Sequence, residues 1–138
     1  MVEERTTDGV RIAQLLASEL TGGGGHLADV TVADADPDVA PAPDGALAYR
    51  VRPGTDDEPL ADAFVHPDRA RVEFRVAPDV AAEEATEAGL RVRPKAVRPP
   101  RTVVFLEDGA EVKRVLPAFG AVVRAVAGDA GDRGPDDG

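Results

Sequence analysis

The sequence predicts an α+β fold, a mostly antiparallel sheet of about five to six strands with three helices packed mainly on one face. Three segments have apolar residues at helical spacing, and short runs of alternating apolar and polar residues lie between them. Their order is helix, four strands, helix, two strands, helix, which favours antiparallel pairing with the second sheet face partly open to water. The 138 residues have the size of one domain, expected at 1–127 and followed by a disordered acidic tail at 128–138.

The first helix is predicted at 8–21. Thr7 and Asp8 are good N-cap residues, and the run of four glycines at 22–25 ends the helix. A phosphate-binding glycine loop needs a strand before the glycines and a helix after them. Here a helix precedes them and an alternating strand at 28–34 follows, so we interpret the glycines as a hinge.

The acidic loop at 34–45 contains three prolines, which prevent regular strand pairing. Its DADPD run looks like the start of a calcium-binding loop. The twelve-residue template, however, places Val39 where glycine is required and Gly45 where a bidentate glutamate belongs. We therefore expect a solvated loop without a metal.

Three further strands are predicted at 47–52, 61–66 and 70–77, and a tight turn at 67–69 joins the last two into an antiparallel hairpin. Alternation assigns one side of each strand to the core. The inward residues are Leu47, Tyr49, Val51, Val72, Phe74 and Val76, and the outward ones include Arg50, Arg52, Arg71, Glu73 and Arg75.

Two more helices are predicted, at 80–88 and at about 110–127. Pro78 opens the first of them and Gly89 ends it. Pro117 interrupts the second, and a proline inside a helix costs about 3 kcal/mol unless the helix kinks or restarts there. We therefore expect two collinear or kinked halves around this proline.

Residues 91–101, RVRPKAVRPPR, are the one place where this acidic chain is locally basic. The protein has 26 acidic and 16 basic residues and a formal net charge of −10, yet no acid lies between Glu87 and Glu107. Three prolines limit the segment to an extended or edge conformation. The run 102–106 that follows is continuously apolar, as in a central strand, which assigns Phe105 to the core.

Arginines occupy alternate positions in several predicted strands, so each pair lies on one face of its strand. We expect the resulting surface to contact a protein partner or a second copy of the chain, with nucleic acid as the first alternative and a small anion as the second. Another alternative is that the chain's own carboxylates pair with these arginines. The candidate binding residues are Arg50, Arg52, Arg71, Arg75, Arg91, Arg93, Lys95, Arg98 and Arg101.

Two physical points weaken the nucleic-acid alternative. Phosphate contacts lose affinity steeply as salt rises, and proteins that bind single strands use exposed aromatic rings. Only Phe64 is expected outside the core.

The charge composition indicates a salt-adapted protein. Aspartate is favoured over glutamate, Lys95 and Lys113 are the only lysines, and asparagine, cysteine and tryptophan are missing. Such a composition resembles that of cytoplasmic haloarchaeal proteins, although a GC-rich genome is the alternative explanation. Near 1 M salt the Debye length is about 3 Å, so self-repulsion is screened. We therefore expect instability at low salt.

The chain offers few catalytic groups. Without cysteine there is no disulfide, thiolate zinc site or cysteine nucleophile. The only serine, Ser18, lies in a predicted helix, and His26 and His66 are far apart in the sequence. We expect a non-enzymatic protein without cofactor or metal; an enzyme would need a pocket that joins a histidine to carboxylates. Neither a signal peptide nor a membrane span is recognisable, so a cytoplasmic location is expected.

Two stretches, TTDGVRIAQLLASEL at 6–20 and AGLRVRPKAVRPPRTVVFLEDG at 88–109, resemble a family of short, acidic haloarchaeal proteins of uncharacterised function. The resemblance covers most of the chain except the acidic loop and the tail. It implies a cytoplasmic, salt-adapted setting and brings no activity or functional residues with it.

Overall fold

The computed structural model describes residues 7–22, 30–53 and 58–132, with side chains described as far as residue 126. Within these ranges the chain forms three helices and one six-stranded antiparallel sheet, which is the expected α+β class. The helices are α1 Gly9–Gly22, α2 Pro78–Glu87 and α3 Glu111–Asp132; the strands are β1 Thr31–Ala33, β2 Ala46–Arg52, β3 Ala61–Val65, β4 Ala70–Phe74, β5 Arg91–Lys95 and β6 Arg101–Leu106.

The strands lie in the order β1-β2-β3-β4-β6-β5, and each neighbouring pair is antiparallel. β1 and β5 are therefore the edges of the sheet. The chain leaves β4 through α2 and returns along β5, and β6 then fills the place between β5 and β4. The expected edge conformation of the basic segment and the expected central position of the apolar run at 102–106 are both confirmed.

The helices pack on one face of the sheet. α1 contacts β1, β3 and β4, α2 contacts β5 and β6, and α3 contacts both other helices. The ring of Phe74, fully buried on β4, lies 4.8 Å from that of Phe119 on α3, centroid to centroid. Asp8 caps α1 as predicted, since its Oδ1 accepts the N–H groups of Val10 at 3.0 Å and Arg11 at 3.3 Å. The opposite sheet face, which no helix covers in the described part of the chain, is called the open face below.

The prediction that Leu47 faces the core is wrong. The pairing of β2 with β3 shifts between Leu47 and Tyr49, so Leu47 lies opposite Phe64 on the open face while Tyr49 and Val51 face the helices. One extra residue in a strand reverses the alternation of sides. The hydroxyl of Tyr49 donates to the carbonyl oxygen of Ala13 at 2.7 Å and ties β2 to α1.

α3 is one continuous helix across Pro117 and does not restart there. Pro117 is exposed, and the carbonyl that lacks an N–H partner belongs to Lys113, which is also exposed. Water can therefore satisfy that carbonyl, which lowers the cost of the proline. α3 extends to Asp132, beyond the predicted end at 127. The disorder of the tail stays a prediction, and residues 133–138 lie outside the described residues, as do the predicted hinge from residue 23 on and His26.

Across the described ranges, no helix combines the length and apolar character that a membrane crossing requires.

Candidate functional site

The predicted cations converge on the open face because of strand register. One row of directly opposed residues crosses five strands of the sheet. It consists of Arg50, Asp62, Glu73, Val103 and Arg93. In a pleated sheet directly opposed residues share a face, so two carboxylates occupy the centre of the face and arginines occupy its flanks.

Glu73 is the centre of an ion-pair network. Its side chain is 1% exposed, and it accepts hydrogen bonds from Arg71 Nε at 2.8 Å, Lys95 Nζ at 3.0 Å and Arg101 Nη1 at 2.9 Å. Burial by itself would raise the pKa of the Glu73 carboxyl, but the three hydrogen bonds outweigh burial and hold its pKa below the ordinary value. Glu73 is therefore ionised at neutral pH.

Asp62 is the second buried carboxylate of this face, with a side chain 6% exposed. Arg50 Nε lies 3.6 Å away, Arg75 Nη1 lies 3.5 Å away, and Arg101 Nη1 lies 3.4 Å away. Because Arg101 also bonds Glu73, it joins the two clusters into one network.

The chain's own carboxylates thus hold the cations at the centre of the face, which was one of the alternatives. Asp34 extends this pairing to the rim, where its Oδ2 lies 3.3 Å from Arg50 and 3.9 Å from Arg52. These carboxylates largely neutralise the charge of the cations with which they pair. The cations held are Arg50, Arg52, Arg71, Arg75, Lys95 and Arg101.

Residues 91–101 are called the basic hairpin below; its Lys95 and Arg101 belong to the central network, but its other cations do not. Arg93 and Arg98 are exposed and form no ion pair within the described residues. Arg91, whose side chain is 66% exposed, pairs with Glu107 at 3.0 Å. Val97 at the tip is 40% exposed. The hairpin is therefore the part of the face where positive charge and apolar surface are both accessible.

His66, which directly follows β3, is buried. Its Nδ1 lies 3.0 Å from the carbonyl oxygen of Pro43, and its Nε2 lies 3.0 Å from Nη1 of Arg71. A carbonyl only accepts and a guanidinium only donates, so Nδ1 carries the proton and Nε2 accepts. Burial, together with the charges of Arg69 and Arg71, lowers the pKa of His66. The imidazole is neutral and links the acidic loop to β4.

A shallow groove of about 350 Å³ crosses the open face beside β5. Phe105 and Val103 line it, although Phe105 was assigned to the core. That assignment is wrong because β6 alternates its faces even where its sequence is continuously apolar. The guanidinium of Arg69 lies 5.6 Å above the Phe105 ring, and that of Arg71 lies 4.2 Å above the Phe64 ring. Cations therefore cover both aromatic rings of this face.

The groove also brings His66 together with Asp44 and Glu73, which is the arrangement that the enzyme alternative required. Both ring nitrogens of His66 are occupied, and Glu73 is held by three cations. In this structure the hydrogen-bond partners of both groups are therefore residues of the chain itself. Among the described residues, no group of three or more histidine or acidic side chains is placed to hold a metal ion.

Comparison with known proteins gives a family without an assigned activity. The model of a family of unknown function (DUF7993) matches residues 1–135. No curated protein and no solved structure matches the chain. The resemblance to a family of uncharacterised function is thereby confirmed, while haloarchaeal origin stays a prediction.

Proposed function

The chain belongs to this family of unknown function, and we propose that it is a non-enzymatic interaction domain that contacts an acidic protein surface through the basic hairpin. One observation carries the proposal. Buried carboxylates hold the central cations, whereas Arg93 and Arg98 are exposed without an ion pair in the described part of the chain. Such guanidinium groups keep their full capacity to donate hydrogen bonds to a partner's carboxylates. From the composition, we place this domain in a salt-adapted cytoplasm.

The tip of the hairpin favours a protein over a nucleic acid. Val97 is 40% exposed, and Pro99 and Pro100 beside it are exposed as well. Apolar side chains next to arginine are typical of the centre of a protein interface. Base stacking would need free aromatic rings, whereas Arg69 and Arg71 cover the rings of the open face.

Recognition is expected to use side chains more than backbone. β5 is an edge strand, and a free edge invites a further strand. Pro94 has no N–H to offer, and the cations of β5 repel another basic strand. The hairpin therefore suits an acidic surface that approaches its side chains.

Fluorescence anisotropy with a labelled glutamate-rich peptide tests this function, with single-stranded DNA and RNA of equal length for comparison. Titrations run at several KCl concentrations, including molar. The hairpin variant is R93A/R98A, which leaves Lys95 in place because Lys95 bonds Glu73. The control R114A/R124A removes the same charge from exposed positions of α3.

We expect the peptide to bind the wild-type protein and the control, and to lose affinity for the hairpin variant. Tighter binding of DNA or RNA that survives molar salt would replace the proposal with nucleic-acid binding. No peptide binding at any salt concentration, measured with protein that has the mass of one chain in the same buffer, would overturn it.

A further inference from the structure

We infer, resting on the proposed function, that the acidic surface is α2 of a second copy of the chain, and that two copies form a two-fold symmetric dimer along the β5 edge. In this dimer the basic hairpin of each copy lies against α2 of the other. The inference thereby names the partner that the hairpin contacts.

α2 presents an acidic surface to solvent. Its residues Asp79, Glu83 and Glu87 are exposed, and no ion pair of theirs or of Glu84 occurs within the described residues. Glutamates and aspartates that lie close together on one short helix repel each other unless cations approach. A basic surface of another molecule that docks on α2 would therefore relieve this repulsion.

The acidic helix and the basic hairpin lie at the same edge of the molecule. α2 packs on β5 and β6, so it is the helix nearest to the β5 edge. Arg93 and Lys95 of β5 point to the open face, as does Val103 opposite Arg93. The sheet separates the two surfaces, so they cannot neutralise each other within one chain. At the β5 edge, the carboxylates of α2 therefore lie on the helix side of the sheet, and the cations of β5 lie on the open face.

Symmetry decides which arrangement brings the two surfaces together. A two-fold axis that lies in the plane of the sheet, parallel to the strands, reverses the faces of the second copy. The helices of that copy then lie on the same side as the open face of the first. Both contacts between α2 and a hairpin then form at once, as an isologous interface requires. A two-fold axis perpendicular to the sheet would instead put both open faces on the same side. It would place α2 beside α2 and bring the Arg93 side chains of the two copies together, so like charges would repel.

Charge-reversal variants test the dimer by sedimentation velocity and light scattering. In the variant R93E/R98E both the hairpin and α2 are acidic. In the variant E83R/E87R both the hairpin and α2 are basic. We expect the wild-type protein to have the mass of two chains and each variant alone the mass of one. An equimolar mixture of the variants should restore the mass of two, because every contact then joins opposite charges.

The variant R11E/R124E serves as the matched control, since it reverses one exposed arginine of α1 and one of α3, neither of which belongs to α2 or the basic hairpin, and it should remain dimeric. Circular dichroism establishes that each variant is folded. A wild-type protein with the mass of one chain at every salt and protein concentration would overturn the dimer, while the peptide titration still decides the proposed function. A dimer that persists in both variants would lie elsewhere and would also overturn the inference.

Discussion

Asp62 and Glu73 lie directly opposite each other on β3 and β4, and one nitrogen of Arg101 reaches both carboxylates, at 3.4 Å and 2.9 Å. Two buried carboxylates so placed repel each other unless cations lie between them. The centre of the open face is therefore a stabilising network that depends on its cations. The candidate binding residues divide into those that serve this network and those that remain accessible on the basic hairpin.

Glu73→Gln should lower the free energy of unfolding by about 3 kcal/mol, the low end of the range for breaking a buried ion pair, because the three cations keep partial access to water. Urea titration followed by circular dichroism measures the loss. Glu107→Gln is the control, since its pair with Arg91 is exposed and should contribute less than about 1 kcal/mol. Equal losses in the two variants would contradict the network.

The effect of Glu73→Gln should also depend on pH. The folded-state pKa of Glu73 is below its ordinary value, so its stabilisation is present above the unfolded pKa of about 4.3 and is lost as pH falls through the folded pKa. The difference in unfolding free energy between wild type and variant should therefore shrink below about pH 4. A constant difference at all pH values would contradict the lowered pKa.

His66→Gln should remove one source of acid sensitivity. The folded-state pKa of His66 is lowered, so the unfolded chain binds a proton first, and stability is lost as pH falls from the unfolded pKa of about 6.5 toward the folded one. Such a group changes stability by at most about 1.4 kcal/mol per pH unit. Glutamine does not titrate, and its amide oxygen can accept from Arg71.

Urea titrations of wild type and His66→Gln at pH values on both sides of this window measure the effect. The wild-type protein should lose more stability toward acid than the variant. A larger loss in the variant would mean that His66 is charged in the folded protein.

Gly45→Ala should destabilise the protein by at least about 1 kcal/mol, because the left-handed backbone conformation is strained for a residue that has a Cβ atom. Gly45 has φ +92°, and a Cβ there would overlap the guanidinium of Arg71. Gly22→Ala at the end of α1 is the control, since no described atom lies within 4 Å of its added Cβ. That variant should keep its stability or gain up to about 1 kcal/mol. Equal effects in urea titrations would contradict the role of the turn.

Raising KCl from low to molar concentration should raise the free energy of unfolding. The chain has a formal net charge of −10, and salt screens its self-repulsion. The variant D38N/E58Q lacks two exposed acids that lie outside α2 and the basic hairpin, and it should gain less from salt. Urea titrations at each salt concentration measure both proteins, and stability that falls with KCl would contradict the predicted adaptation to salt.

Local patterns account for the elements that were predicted correctly. The strand pattern around Val72 and the proline-rich, basic character of 91–101 are properties of neighbouring residues, so they indicate a strand and an edge without knowledge of the partners. The faces of Leu47 and Phe105 were misassigned for different reasons. A shift in strand pairing leaves no mark in the sequence, and a continuously apolar run does not show which of its residues face the helices.

By itself, the sequence determined the α+β class, the order of the elements and the presence of arginines on one side of several strands, because these depend on side-chain periodicity along the chain. Only the tertiary structure decided which arginines are neutralised. Lys95 and Arg101 are far from Glu73 in the sequence, yet strand order brings them to within 3.0 Å and 2.9 Å of its carboxylate. Charge pairing depends on distances across the sheet, and strand register sets those distances only when the whole chain has folded.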